Sequence, residues 1–522
     1  MRTSLHLAGS LLLAAMISLC ACTRQSGPAV GKEAAAPAAP WVHTFTPLRQ
    51  VYVSPDGTGS GESTAKPAPL AQAVKNSTAG DLIWLAGGRY DVGTMVLAGK
   101  GTRQQPIVYR AMPGQRITIN GRFNINGPYN WVWGMEITGL DGKWLDVDAC
   151  TANAPGVHLI NNIIHDTQTC NGIGGWRRGP DHVYYGNILF KIAAGAPKGR
   201  RGYPTYTQNH WEEDGYKYFV QNMFLDTRKD STGQPYNVHA YTEGGYLSGF
   251  YFRQDIISRG RFLLGGGKEP HHHNTVEQCV FYDAPEVQFG WSRPVQVTFR
   301  DNYLACSFLD YWMYWTYGPA DFGGMVKPLP NVVTGNTIVL PPKTLHAATV
   351  DANMNPDAVQ AAGLGVLVRT SYQGDAPTNL GEQSLDAADT FDNNLYLGIF
   401  RGLLYAGGKL GEYDLPGWRK ATAAAGKEFD AGSKQAPMPT VPAVFVFANE
   451  YEPGRANVAV INWTKAATVK VDLSAALRRG AAFRMVKARD PYGPSVAEGV
   501  YKGPVSVPME EEFAAFLVLP GR

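Results

Sequence analysis

A short motif recurs along the middle of the chain and restricts it to a repeat architecture. A polar residue, usually Asn, precedes a brief apolar run in N-N-I-I-H, G-N-I-L-F, Q-N-M-F-L, Q-D-I-I-S, E-Q-C-V-F, D-N-Y-L-A, G-N-T-I-V and N-N-L-Y-L. The marker falls at Asn162, Asn187, Asn222, Asp255, Gln278, Asn302, Asn336 and Asn394, so the intervals are 25, 35, 33, 23, 24, 34 and 58 residues. These describe a base unit of about 24 residues, lengthened in some turns by loops of roughly ten and once by a larger insertion. A unit this short cannot bury its own apolar face and must stack on its neighbours. The apolar runs are too short for helices and are interrupted by Gly and Pro, so they read as strands. An inward amide needs partners in the backbone or on the next turn, which a stack of Asn side chains supplies. The pattern predicts an all-β chain built on a right-handed parallel β-helix.

Composition agrees. With 59 Gly and 35 Pro in 522 residues, 17% charged and 11% aromatic, the chain is turn-rich and is neither disordered nor a coiled coil. A net charge of +3 leaves no basic field that would favour nucleic acid. From about Pro437 the texture changes to alternating strands: A-V-F-V-F-A-N-E-Y, N-V-A-V-I-N-W, T-V-K-V-D-L, F-R-M-V-K-A, P-V-S-V-P-M and A-A-F-L-V-L-P. Six strands spaced by about 10 to 17 residues predict a small β-sandwich. Trp418 and the segment G-K-E-F-D-A-G-S are expected to finish the solenoid before it.

At the other end, Arg2, the apolar stretch Leu11 to Leu19 and then Leu19-Cys20-Ala21-Cys22 read as a secretion signal, too short to span a bilayer. The last four residues resemble a bacterial lipobox, which implies lipidation at Cys22, after the small residue Ala21. Thr23 after that cysteine resembles the outer-membrane sorting signal of enterobacterial lipoproteins. The expected organisation is a signal peptide over 1–21, an Ala/Pro-rich tether over 22–48, the β-helix over 49–436 and the sandwich over 437–522. The expected place is the outer membrane or periplasm of a Gram-negative bacterium, with membrane contact only through the lipid and a monomeric state. Cys150, Cys170, Cys279 and Cys306 are too few to hold the mature chain together. Cys150 and Cys170, in loop-like sequence, are candidates for a pair; Cys279 and Cys306, in apolar runs, read as buried thiols.

The segments V-Y-V-S-P-D-G-T-G-S-G-E-S, P-L-A-Q-A-V and A-G-D-L-I-W-L-A-G-G-R-Y, followed by T-I-N-G at 118–121, closely resemble the opening of secreted β-helix polysaccharide lyases of the alginate and chondroitin lyase group. The resemblance spans about residues 50–140 by motif and continues to about 400 by repeat alone. It implies a short helix over Leu70 to Val74 capping the solenoid, and a carbohydrate substrate. It carries no catalytic residue across, because the opening motif is matched and a lyase's catalytic motif is not.

Eight of the eleven histidines fall within residues 158–273, where the lengthened turns also collect, and insertions tend to build the binding face of a solenoid. In Y-N-V-H-A-Y-T, alternation points Val238 and Ala240 inward and His239 and Tyr241 outward. Registering neighbouring rungs on this one adds Tyr206 and Gln208 before it and Arg261 after it, giving an expected column of Tyr206, His239 and Arg261. Such a groove suits an acidic polysaccharide, since rings stack on sugar faces and cations meet carboxylates. β-Elimination of a uronide needs a cation on the carboxylate, a base at C5 and an acid for the leaving O4. Arg261 or Lys268 is the candidate cation, and His239 with Tyr241 or Tyr206 the candidate acid/base set. Trp176, Gln208, Asn209, Trp211, His271 and Trp291 are candidate substrate contacts. No residue is read as a metal ligand: His271, His272 and His273 alternate faces, so at most two converge. A Ca²⁺ bridge would need clustered carboxylates, for which Glu212, Glu213 and Asp214 are the one dense group. Glycoside hydrolysis is the alternative, with Glu243 and one of those three as the carboxyl pair. A non-catalytic, polysaccharide-binding scaffold is the third reading.

Overall fold

Stacked parallel strands, not hairpins, organise the chain. The computed structural model describes residues 39–139, 144–176, 182–194, 196–197, 202–209, 215–225, 236–241, 247–265, 271–290, 293–312, 330–341, 365–369, 385, 388–406 and 409–521. Trp41–Arg522 form one compact unit. Among the described residues no helix is long and apolar enough to cross a membrane. Cys22 and its flanking leader lie outside the described residues.

Each rung contributes strands to three tracks. The first track is a sheet of twelve parallel strands running from Arg49–Val53 and Asp81–Leu85, through His158–Ile160, His182–Tyr185 and Lys217–Val220, to Thr390–Asp392. The second stacks Ile163–His165, Ile188–Phe190, Met223–Leu225, Ile256–Ser258, Val280–Tyr282 and Tyr303–Ala305 in parallel. The third stacks Leu145–Ala152, Thr169–Gly175, Tyr203–Thr207, Tyr236–Ala240, Arg261–Gly265, Val287–Gly290 and Leu309–Trp312. This is a parallel β-helix. Aliphatic and phenyl side chains such as Ile83, Leu159, Phe219, Phe252 and Phe281 fill its interior.

The repeat marker explains the bend between the first and second tracks. A left-handed residue turns the chain there, as at Asn161 (φ 54°), Gln221 (φ 55°) and Gln254 (φ 56°), and the next residue points inward. Asn187 Oδ1 accepts from the backbone N–H of Asn162, and Asn187 Nδ2 donates to the carbonyl of Leu159 at 2.8 Å. One amide thus satisfies two backbone groups that the turn would leave orphaned on the preceding rung. The ladder continues through Asn222 to Asp255, and again from Asn302 through Asn336 to Asn394. Gln278 is not part of it. The inward place belongs to Cys279, whose N–H donates to Asn302 Oδ1, while Gln278 is the left-handed residue (φ 55°) and joins an outer ladder with Gln254 and Gln221.

Both ends are closed. The helix Leu70–Lys75 buries Leu70 and Ala73 at the first rung. At the far end the helix Leu415–Ala424 starts at Asp414, whose Oδ1 accepts from the Gly417 N–H, and buries Trp418. Asp430 accepts from Trp418 Nε1, Tyr396 Oη and Asn394 Nδ2, ending the ladder. The strand Lys434–Ala436 then pairs with Leu395–Gly398 as the last rung.

The C-terminal part has seven strands rather than six. Ala443–Ala448, Ala456–Ile461, Phe513–Pro520, Ala482–Lys487 and Ala497–Val500 form one antiparallel sheet, and Thr468–Val471 with Val505–Pro508 a second. The added strand, A-E-G-V, shows no apolar alternation because it is an exposed edge. Phe447, Ala459, Ile461, Phe513 and Leu517 pack on Ile163, Ile188, Phe190, Met223, Ile256 and Val280. The sheet therefore covers the outer side of the second track, which is why those strands are apolar at both parities.

Cys150, Cys170, Cys279 and Cys306 are all free, so Cys150 and Cys170 do not pair. Cys150 stands opposite Ile173, three residues beyond Cys170, and lies in the core, whereas Cys170 lines a surface cavity.

Candidate functional site

The outward positions of the third track form one column: Thr151, Gly174, Tyr206, His239, Leu263, Gln288 and Asp310 are successively in register. Tyr206 and His239 stand side by side in it, with ring centroids 4.6 Å apart. Four tyrosines surround the imidazole. Tyr203 and Tyr236 are each 4.7 Å from it, and Tyr241 stacks on it at 5.2 Å and 11°. Leu263 packs with Tyr203 and Tyr236 beneath, leaving His239 7% exposed. Ring edges and faces in this arrangement hold the imidazole in one orientation.

Arg261 does not extend this column. A bulge between Tyr236 and Val238 sets Arg261 against Tyr236, and Leu263 takes the place beside His239. The Arg261 guanidinium is buried in an ion pair with Glu286 and donates to Tyr236 Oη at 2.9 Å. It is therefore not available to a substrate carboxylate.

Toward the first rungs the column opens into a cavity of about 700 Å³. Tyr203, Tyr206 and Trp176 form its aromatic side, and Arg122, Asp146, Asp148, Cys170 and Asn171 its polar side. Gly174 creates the notch: a Cβ there would lie 2.0 Å from Asp148 Oδ2. Asp148, 3% exposed, fills that space and accepts from Trp176 Nε1 at 2.7 Å, Asn171 Nδ2 at 2.8 Å and Thr151 Oγ1 at 3.0 Å. Burial raises its carboxyl above the usual range, while these donors and the charge of Arg122 act in the opposite direction. Arg122 donates to the Asp148 carbonyl at 2.9 Å and to Thr151 Oγ1 at 2.7 Å. Burial pushes the Cys170 thiol up to about 12, so it is no nucleophile at neutral pH.

The remaining sequence candidates separate clearly. Trp176 lines the cavity, and Gln208 is half-buried just past the end of its strand. Asn209 is 1% exposed and donates to the Ser248 carbonyl at 2.6 Å, so it ties two turns together and does not face a groove. His271 is 0% exposed, in the strand His271–His272 that pairs with Leu247–Ser248, and is no groove wall. Glu243, Lys268, Trp211 and Trp291 lie outside the described residues, as do Glu212, Glu213 and Asp214. Among the described residues no group of three or more His, Cys, Asp or Glu could hold a metal ion. The sequence reading missed Arg122, Asp146, Asp148, Asn171 and Tyr203. Its one accessible signal was the glycine pair in N-G-I-G-G-W, where a strand exposes a place without a side chain.

The fold and this groove place the chain among parallel β-helix proteins. Residues 65–141, which include Arg122, match a family model described as Chondroitinase B. No curated protein matches the chain. Among solved structures, it is similar to a mannuronic-acid-specific polysaccharide family 6 lyase from human gut microbiota, at 14% identity over 69% of this chain and 82% of that one, with a TM-score of 0.37. Pectate lyase Pel9A is matched at 13% identity over 69% and 77%, with a TM-score of 0.27. XylC in complex with xylose is matched at 9% identity over 88% and 99%, with a TM-score of 0.37.

Proposed function

We propose that the chain is a polysaccharide-degrading protein of the cell envelope, which cleaves a uronic-acid-containing chain by β-elimination on the third track. The observation that carries this reading is the position of His239, boxed by tyrosine rings and in register with Tyr206, which lines the cavity. The match of residues 65–141 to the Chondroitinase B model supports it. In this reading His239 removes the C5 proton, the electron pair forms the C4–C5 double bond, and the C4–O4 bond breaks. Tyr206 or Tyr241 protonates O4, and the imidazolium returns a proton to the tyrosinate through solvent. Arg122, at the cavity end, is engaged by the Asp148 carbonyl and Thr151, so Lys268 is the candidate for the uronate carboxylate.

The test is to incubate the purified chain with polymannuronate, polyguluronate, polygalacturonate, chondroitin and neutral polysaccharides, reading unsaturated-uronide absorbance and reducing ends together. Absorbance growth on an acidic polymer is the expected result. A second reading, glycoside hydrolysis, is favoured by Asp146 and Asp148, an exposed and a buried carboxyl two residues apart on one cavity wall. Its mark is reducing ends without absorbance. Membrane attachment through Cys22 belongs to the same proposal, and Cys22→Ala should move the protein from the membrane fraction to the soluble one.

A further inference from the structure

The cavity end of the groove is built differently from the His239 end. There the only basic side chain on the described wall, Arg122, is turned onto the Asp148 carbonyl and Thr151, while Asp146 and Asp148 both line the space. A uronate carboxylate placed there would meet two acidic residues. Trp176, by contrast, is half-buried, and its indole is fixed from below by the Nε1–H bond to Asp148. Asp148 is in turn held by Asn171 and Thr151 in the space that Gly174 leaves free. Tyr206 meets the indole with centroids 4.6 Å apart and planes at 61°, closing one side of the platform. A rigid ring beside acceptor oxygens is the arrangement that a sugar ring stacks on while its hydroxyls donate.

We infer that Trp176, positioned by Asp148, is a stacking subsite for an uncharged pyranose of the bound polysaccharide, and that the substrate chain carries a non-acidic sugar at this place. The inference rests on the polysaccharide reading. It adds a discrimination: the two ends of one groove take sugars of different charge. Asp148 acts as a positioning residue, because its oxygens are occupied by Trp176, Asn171 and Thr151.

The experiment is a fluorescence titration of the full chain and of Trp176→Phe, so that their difference isolates Trp176. The probes are β-1,4-linked hexasaccharides of glucose, mannose and xylose, and hexamers of mannuronate and galacturonate. At least one neutral hexamer should perturb Trp176 with an affinity roughly tenfold above that of either uronate. Asp148→Asn should weaken that affinity several-fold and, without ligand, make Trp176 more accessible to acrylamide, which a purely structural role at a distance would not do. Perturbation by a uronate as strong as by every neutral hexamer overturns the inference, as does no perturbation by any of the five. An Asp148→Asn protein whose Trp176 is as shielded as before overturns the positioning role. Unsaturated-uronide absorbance on the acidic polymers is scored separately, so a failed elimination and a failed subsite remain distinguishable.

Discussion

Arg261 and Glu286 form an ion pair in which both side chains are only 1% exposed, with the guanidinium 4.7 Å over the Tyr236 ring. A charge so placed is held by its partner and not by water. Removing one partner leaves the other buried and uncompensated, a cost of about 3–5 kcal/mol. Arg261→Ala and Glu286→Ala should each lower unfolding stability by that order. Arg261→Ala combined with Glu286→Ala should cost much less than the sum of the two single losses in a double-mutant cycle measured by denaturant unfolding. Additive losses would show that the two charges do not depend on each other.

Asp255 occupies a place that Asn fills elsewhere in the inward ladder. Burial, opposed by donation from Asn222, raises its carboxyl to about 8, so near neutrality it carries a proton and takes the part of an amide. The folded carboxyl lies above its unfolded value near 4, so the folded state binds more protons between them. Its contribution is fully present below about pH 4 and is lost as pH rises toward 8. Asp255→Asn removes this term. Relative to the native chain, the variant should gain about 1 kcal/mol per pH unit across that window, measured by urea unfolding at pH 5, 6, 7 and 8.

Glu136 and His165 form a titrating pair. Burial works against ionisation of Glu136, but hydrogen bonds from His165, Arg116 and Thr118 outweigh it and hold the carboxyl at about 2. Burial likewise disfavours the charged His165, yet its bonds to Glu136 and Asp166 raise it above the ordinary histidine value. The contribution of Glu136 is present above its unfolded value and lost as pH falls toward 2. That of His165 is full below its ordinary value and lost as pH rises through the raised one. His165→Gln should therefore cost more stability at pH 6 than at pH 9, by thermal unfolding at both.

Gly174 is needed for the space that Asp148 occupies. Gly174→Ala puts a methyl into the carboxylate, so the fold must shift at a cost of about 1–3 kcal/mol. Accessibility of Trp176 should rise with the loss, whereas Gly114→Ala, at a place where a Cβ meets nothing, should leave Trp176 unchanged.

The period of the solenoid was legible because the inward amides at Asn162, Asn187, Asn222, Asn302, Asn336 and Asn394 do one job at one place in each rung. Gln278 broke the rule by one residue, since the left-handed place before the ladder accepts Gln as readily as Asn, and the inward place accepts Cys279. The groove was harder to read. Registering neighbouring rungs placed Arg261 beside His239, but the bulge after Tyr236 sets it in a buried pair. Asp148 carries no motif, and its role arises only when Trp176, Asn171 and Gly174 from the next rung meet it. The apolar second-track strands gave no hint of the C-terminal sheet, because a run buried on both faces looks the same whatever covers it.

In the proposed reaction, bond cleavage takes place at the His239 cluster. Its most direct test is the initial rate of unsaturated-uronide formation on the acidic polymer that the native chain turns over fastest, compared with His239→Ala, Tyr206→Phe and Asn209→Ala. The expected result is a loss of at least about a hundredfold for His239→Ala, a smaller loss in kcat for Tyr206→Phe, and near-native turnover by folded Asn209→Ala. Retention of the native rate by His239→Ala, with its fold intact by circular dichroism, would contradict it.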